Sequence, residues 1–276
     1  MRLNKLFTST LVLAGMASFA QAQQLNFNEI QIDHQGTDDY EFIELIGTPN
    51  MSLDTYVVIT IDGEGAASGK IDRVWDLTGS TVPADGYFVM GNIATVPNTD
   101  FDLANGPHTT GGANNNVENG TSTFYLLKVP NALDRADLAG PLFDSDIDPD
   151  DDLITAIGLT PASFEIIENV GVLEEPLQFG IDDVYDCAPA LGPNGNFLPG
   201  GIFRPGDYPN EWCGDIWLDW STPTGPDKTP GTANITATCS ITMPSAAGCG
   251  TTGGPMTTPY CDPMDNNSTE IGRAHV

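Results

Sequence analysis

Apolar and polar positions alternate in short bursts along the first third of the chain. Leu25–Ile32, Tyr40–Leu45, Tyr56–Gly63 and Pro83–Met90 are runs rich in Ile, Val, Tyr and Phe. Gly, Asp, Pro and Asn clusters separate them, the pattern of consecutive β-strands in a sandwich. In the first run Leu25 and Phe27 share one face, whereas Ile30 and Ile32 share the other. That change of phase at Asn28-Glu29 predicts a bulge or a strand passing between sheets. In the second run Tyr40 and Phe42 fall on one face and Ile43 and Leu45 on the other. Glu41 and Glu44 are therefore expected to be partly buried, and a buried carboxylate needs hydrogen bonds or a cation. Backbone N–H groups or Arg73 are the bland solution; a cation site is the sharper one.

Further on, Asn105–Gly120 reads as a Gly/Asn-rich loop. Thr123–Val129 reads as a strand. Leu153–Ile157 and Phe164–Ile167 read as two more strands, or as a strand and a short helix. Ser221–Asn234 is rich in Pro, Gly and Thr and reads as the chain running out of the sandwich. The same composition continues as a linker over 236–259.

The ends carry processing signals. Arg2 and Lys5, the apolar stretch Leu6–Phe19 and the small-x-small site Ala20-Gln21-Ala22 read as a secretory signal over residues 1–22. The mature chain is then expected to start at Gln23, outside the cytoplasm and with no membrane span. Residues 260–269 read as the start of a C-terminal domain that the chain leaves incomplete. Glu270–Val276 reads as an adapter-derived tail.

Several motifs occur together and in order. Asn28-Glu29-Ile30, Asp39–Leu45, the Asp62-Gly63 turn, Pro83–Val89 and Thr229-Pro230-Gly231-Thr232-Ala233-Asn234 resemble the lamin tail domain family. The resemblance covers about Leu25 to Ile235 and implies an all-β, immunoglobulin-like β-sandwich over residues 23–235. The span is longer than a compact lamin tail, so a long decorated insertion is expected between about Asn92 and Arg204. The resemblance implies a scaffold and supplies no catalytic residues.

Charge and chemistry narrow the picture. The 276 residues carry 38 acidic against 9 basic side chains, a net charge of -29. Such a chain repels phosphate backbones, so no direct nucleic-acid partner is expected. The acidity serves solubility or, in a calcium-rich medium, divalent-cation uptake. Asp144, Asp146, Asp148, Asp150 and Asp152 are the candidate calcium ligands, and calcium is the one cofactor considered. Pro149 and Thr155 stand where an EF-hand needs Gly and Glu, so a looser loop is meant. The spacing of the five cysteines suggests the bridges Cys187–Cys213 and Cys239–Cys249, leaving Cys261 odd. His34 and His108 are isolated, and H-E-x-x-H, G-x-S-x-G and P-loop motifs are missing from the sequence. Trp212, Trp217 and Trp220 form either a sugar-stacking platform or core.

The expectation is a secreted, non-enzymatic binding or display module whose partner is an extracellular protein or polysaccharide. Two alternatives stand beside it. One is an accessory domain of a secreted hydrolase or nuclease whose catalytic part lies elsewhere. The other is a calcium-dependent adhesion or matrix module.

Overall fold

β-Branched and aromatic runs of four to eight residues, cut by turn formers, can bury side chains only by pairing into sheets. The computed structural model describes residues 25–32, 40–64, 69–103, 117, 120–138, 164–173, 188, 190–191, 200–207, 211–214 and 228–234. Its strands are β1 (Leu25–Gln31), β2 (Phe42–Gly47), β3 (Tyr56–Asp62), β4 (Ile71–Asp76), β5 (Tyr87–Gly91) and β6 (Thr99–Asp102). They continue with β7 (Ser122–Lys128), β8 (Glu165–Val172), β9 (Ala190–Leu191), β10 (Gly201–Phe203) and β11 (Cys213–Gly214). One helix, α1 (Ala132–Leu138), follows β7.

Two sheets face each other as an all-β sandwich. One has the order β11-β10-β1-β2-β5-β6, the other β4-β3-β7-β8-β9. Phe27, Ile43, Leu45, Val58, Trp75, Phe88, Phe124, Leu126 and Val170 meet in the core between them. The run Tyr56–Ile61 breaks strict alternation because β3 is buried on both faces. Val58 enters the central core, while Val57, Ile59 and Ile61 join Tyr125, Leu127 and Leu138 of α1 in a second cluster. A strand covered on both sides loses the polar half of its pattern.

The phase change in β1 is a bulge. The pairing of β1 with β2 slips between Phe27 and Glu29, leaving Asn28 as the extra residue. Helix α1 has a side-chain start. Asn131 Oδ1 accepts the Leu133 N–H at 3.0 Å, and its Nδ2 donates to Asp134 at 3.1 Å. This cap satisfies the Leu133 N–H, one of the groups that a two-turn helix would otherwise leave open. Arg135 then reaches back to Asp76 at 3.3 Å and to the Val129 carbonyl at 2.7 Å, fastening the helix to the ends of β4 and β7.

Candidate functional site

The outer face of the six-stranded sheet carries a problem that its own residues create. Residues two apart on a strand share a face, so Phe42 and Glu44 point the same way. Phe42 packs with Val89 and Val96, while Glu44 is wholly buried. Across the ladder Glu44 lies directly opposite Glu29, which is also buried. Like charges at opposed positions destabilise a sheet, and buried ones more so.

The segment 228–234 answers both carboxylates. Thr229 donates its N–H to Glu29 Oε2 at 3.1 Å and its hydroxyl to the same oxygen at 3.0 Å. The Gly231 N–H donates to Glu44 Oε2 at 2.6 Å. The local shape that permits this is a type II turn. Pro230 stands at its second position and Gly231, with φ +78°, at its third. The Thr232 N–H closes the turn on the Thr229 carbonyl at 2.9 Å. Proline presets the first of those torsions and glycine alone takes the second at no steric cost. A Cβ on Gly231 would lie 2.6 Å from the Asn98 Cβ, so the close approach also requires glycine.

Asn28, the bulged residue, binds the parts together. Its Nδ2 donates to Glu44 Oε1 at 2.7 Å and to Asp207 Oδ1 at 3.0 Å, so one amide separates two carboxylates. Asp207 follows Gly206 in a turn where both residues have positive φ, 61° and 59°. That left-handed pair aims the Asp207 carboxylate inward, where it also accepts the Tyr87 hydroxyl at 2.8 Å and the Asn234 N–H at 3.0 Å. Asn234 returns its Nδ2 to the Asn28 carbonyl at 3.1 Å. Asn98, itself left-handed with φ 59°, donates to the Pro230 carbonyl at 2.8 Å.

The electrostatics follow from burial. Desolvation pushes the Glu44 carboxyl up to about 8 against an ordinary 4.5, and the nearby Asp207 and Asp85 carboxylates add to the rise. The Asn28 and Gly231 N–H groups oppose it without cancelling it. Burial first, and then the carboxylate of Asp207, raises the Tyr87 hydroxyl, which stays a donor.

On the inner side of the bulge an ion pair joins the two sheets. Glu168 on β8 pairs with Arg204, which follows β10. The other Glu168 oxygen accepts the Phe27 N–H at 2.8 Å, and Arg204 Nε donates to the Phe27 carbonyl at 2.6 Å. The Arg204 guanidinium lies 4.3 Å from the Trp212 ring centroid. Burial pushes the Glu168 carboxyl up, and the facing guanidinium pulls it back.

The sequence-predicted sites are placed as follows. Glu41 and Glu44 are buried as expected, and Glu44 is satisfied by Asn28 and by backbone N–H. Arg73 is not the residue that answers Glu44; it pairs with Asp72 on the other sheet. Trp212 is buried in the central core, the second of the two readings its sequence allowed. Residues 228–234 do not run out of the sandwich but lie fastened on it, because Thr229, Gly231 and Asn234 supply what Glu29, Glu44 and Asp207 lack. Cys213 is disulfide-bonded, its partner lying outside the described residues. The candidate calcium ligands Asp144, Asp146, Asp148, Asp150 and Asp152 also lie outside them, as do His34, His108, Trp217 and Trp220. Asn98, Arg204, Glu168 and Asp207 went unread in the sequence. Pro205-Gly206-Asp207 was the one available signal, a turn triplet with an acid at its end.

Among the described residues, no group of three or more His, Cys, Asp or Glu side chains is placed to hold a metal ion. No described helix is long and apolar enough to cross a membrane. Comparisons with family models, curated proteins and solved structures gave no match.

Proposed function

We propose that the chain is a secreted, non-enzymatic binding or display module of a multidomain extracellular protein, on an immunoglobulin-like, lamin-tail-like scaffold. One observation carries this reading. The residues that make the resemblance, Asn28, Glu29, Glu44, Thr229, Gly231 and Asn234, hydrogen-bond to one another or to Asp207. Their chemistry is closure of a domain. Carboxylates fully engaged by fixed N–H and O–H donors hold a structure in place.

The test sets turnover against retention. The full chain is assayed on phosphodiester, phosphomonoester and glycosidic substrates, and in parallel on insoluble extracellular polysaccharides and immobilised cell-surface proteins. Saturable retention without turnover is the expected result. Turnover that disappears on replacing a carboxylate of the chain overturns the reading and favours the hydrolase alternative.

A further inference from the structure

We infer that the Glu29 carboxyl carries a proton in the folded chain and donates it to the Thr229 hydroxyl, so that the seam between β1 and residues 228–234 tightens as the medium acidifies.

Hydrogens are scarce at Thr229 Oγ1. That oxygen lies 3.0 Å from Glu29 Oε2 and 2.6 Å from Asn234 Oδ1. A threonine hydroxyl has one hydrogen to give, and an amide oxygen has none. Taken alone, the contact with Glu29 is a hydroxyl donating to a carboxylate. The shorter contact with Asn234 takes that hydrogen and leaves the other pair of oxygens without one. A hydrogen on Glu29 Oε2 supplies it: the acid donates to Thr229, and Thr229 donates onward to Asn234. The shortage arises at Thr229 and holds whatever else Glu29 touches.

Turning the Asn234 amide over does not relieve it. Its Nδ2 donates at 3.1 Å to the Asn28 carbonyl, which also accepts the Arg204 N–H at 2.9 Å. Exchanging Oδ1 and Nδ2 would set two carbonyl oxygens against each other. The main chain fits a neutral acid as well. The Thr229 N–H lies 3.1 Å from Oε2 and 3.3 Å from Oε1, so it keeps an acceptor when Oε2 is protonated.

The surroundings pull both ways. Glu44 faces Glu29 from β2, and Asp207 joins the cluster through Asn28. Asp85 bears on Glu44 from the turn before β5, and Phe203 faces Glu29 from β10. These carboxylates, with burial, favour the neutral acid. Lys228, buried and next to Thr229 in the chain, favours the carboxylate. Arg204 turns its guanidinium to Glu168 and the Phe27 carbonyl, on the inner side of the bulge. The hydrogen needed at Thr229 decides for the acid.

Without that proton, one hydroxyl hydrogen must serve two acceptors. Whichever it serves, the other contact becomes oxygen against oxygen, with Glu29 and Asn234 both buried. Glu44 keeps Asn28 and Gly231 throughout, so the loosening centres on Thr229 and Asn234. The closed seam holds a proton that an opened seam gives up, and opening therefore grows easier as pH rises.

Two measurements on the full chain test this. The Glu29 carboxyl carbon, assigned through its own side chain in isotope-labelled wild-type protein, should resonate as a neutral acid at about pH 6.5, where an ordinary glutamate is ionised. A carboxylate resonance there overturns the inference. Hydrogen exchange of residues 228–234, corrected for intrinsic rates, is then followed from about pH 5 to about pH 9 in wild type and Glu29→Gln. Glutamine mimics the protonated acid, since its amide N–H can donate to Thr229 Oγ1 and its carbonyl can accept the Thr229 N–H. Glu29→Gln should keep wild-type protection at the acid end and lose it less steeply with pH, a difference of up to about tenfold per pH unit. Equal slopes in the two chains, or a Glu29→Gln chain that is unprotected or unfolded at the acid end, overturn the proton-dependent seam.

Discussion

The Gly231 N–H donates to Glu44 Oε2 at 2.6 Å across 187 residues of sequence. This bond places a turn near the end of the sandwich over a carboxylate near its beginning. Without it Glu44 would be buried opposite Glu29 with one oxygen unanswered. The relationship sets what substitutions at either end should do.

Gly231→Ala forces a side chain into a positive φ and against Asn98. The expected cost is about 1–3 kcal/mol. Urea unfolding of the full chain checks it.

Stability should fall as pH rises from 4.5 to about 8. The Glu44 carboxyl is raised by burial to about 8, so in that window the folded chain holds a proton that the unfolded chain has released. The contribution is complete below pH 4.5 and is lost as pH passes the folded value. Its slope is at most about 1.4 kcal/mol per pH unit. Urea midpoints across the range should therefore decline, and Glu44→Gln should remove this share of the decline while lowering stability at pH 5.

Asn28→Asp replaces the amide that separates Glu44 from Asp207 by a third carboxylate. The expected loss at neutral pH is roughly 3–5 kcal/mol, the range for an uncompensated buried charge. Part of it should return on acidification, as the carboxyl groups take up protons. A loss that stays constant from pH 4 to pH 8 would contradict the assignment of that amide as the bridge.

Arg204 holds Glu168, the Phe27 carbonyl and the face of Trp212 at once. Arg204→Ala should cost roughly 3–5 kcal/mol. Arg204→Lys should recover little, because an ammonium cannot reproduce a planar group that donates in two directions while stacked. A double-mutant cycle with Glu168→Gln should give a coupling well above that of a surface pair.

Much of this fold was legible in the chain. The strands around Phe27, Ile43, Val58 and Phe88 announce themselves through β-branched and aromatic runs between turn formers. The change of phase at Asn28 is visible because a strand has a period of two, and one added residue inverts every later position. The burial of Glu44 was readable from its apolar neighbours on both faces. Its partners were not, since no local pattern joins position 44 to position 231. Strands β9, β10 and β11 have two or three residues, too few to show a period. Helix α1 makes only two turns and depends on Asn131 and Arg135, whose roles appear once β4 and β7 are in place. Trp212 kept two readings, platform or core, because its cover, Arg204, comes from a different strand end.

Strand β1 has an unusual place in time. It pairs with β2 close by in sequence, with β10 only after residue 201, and its bulge is covered only once residue 234 exists. The first strand of the sandwich is thus the last to be completed, and its final contacts span some two hundred residues. Loop closure on that scale slows folding. A polypeptide interrupted before Thr229 lacks the donors that Thr229, Gly231 and Asn234 give to Glu29, Glu44 and Asp207. The clasp over the bulge therefore exists only in a chain that extends to Asn234.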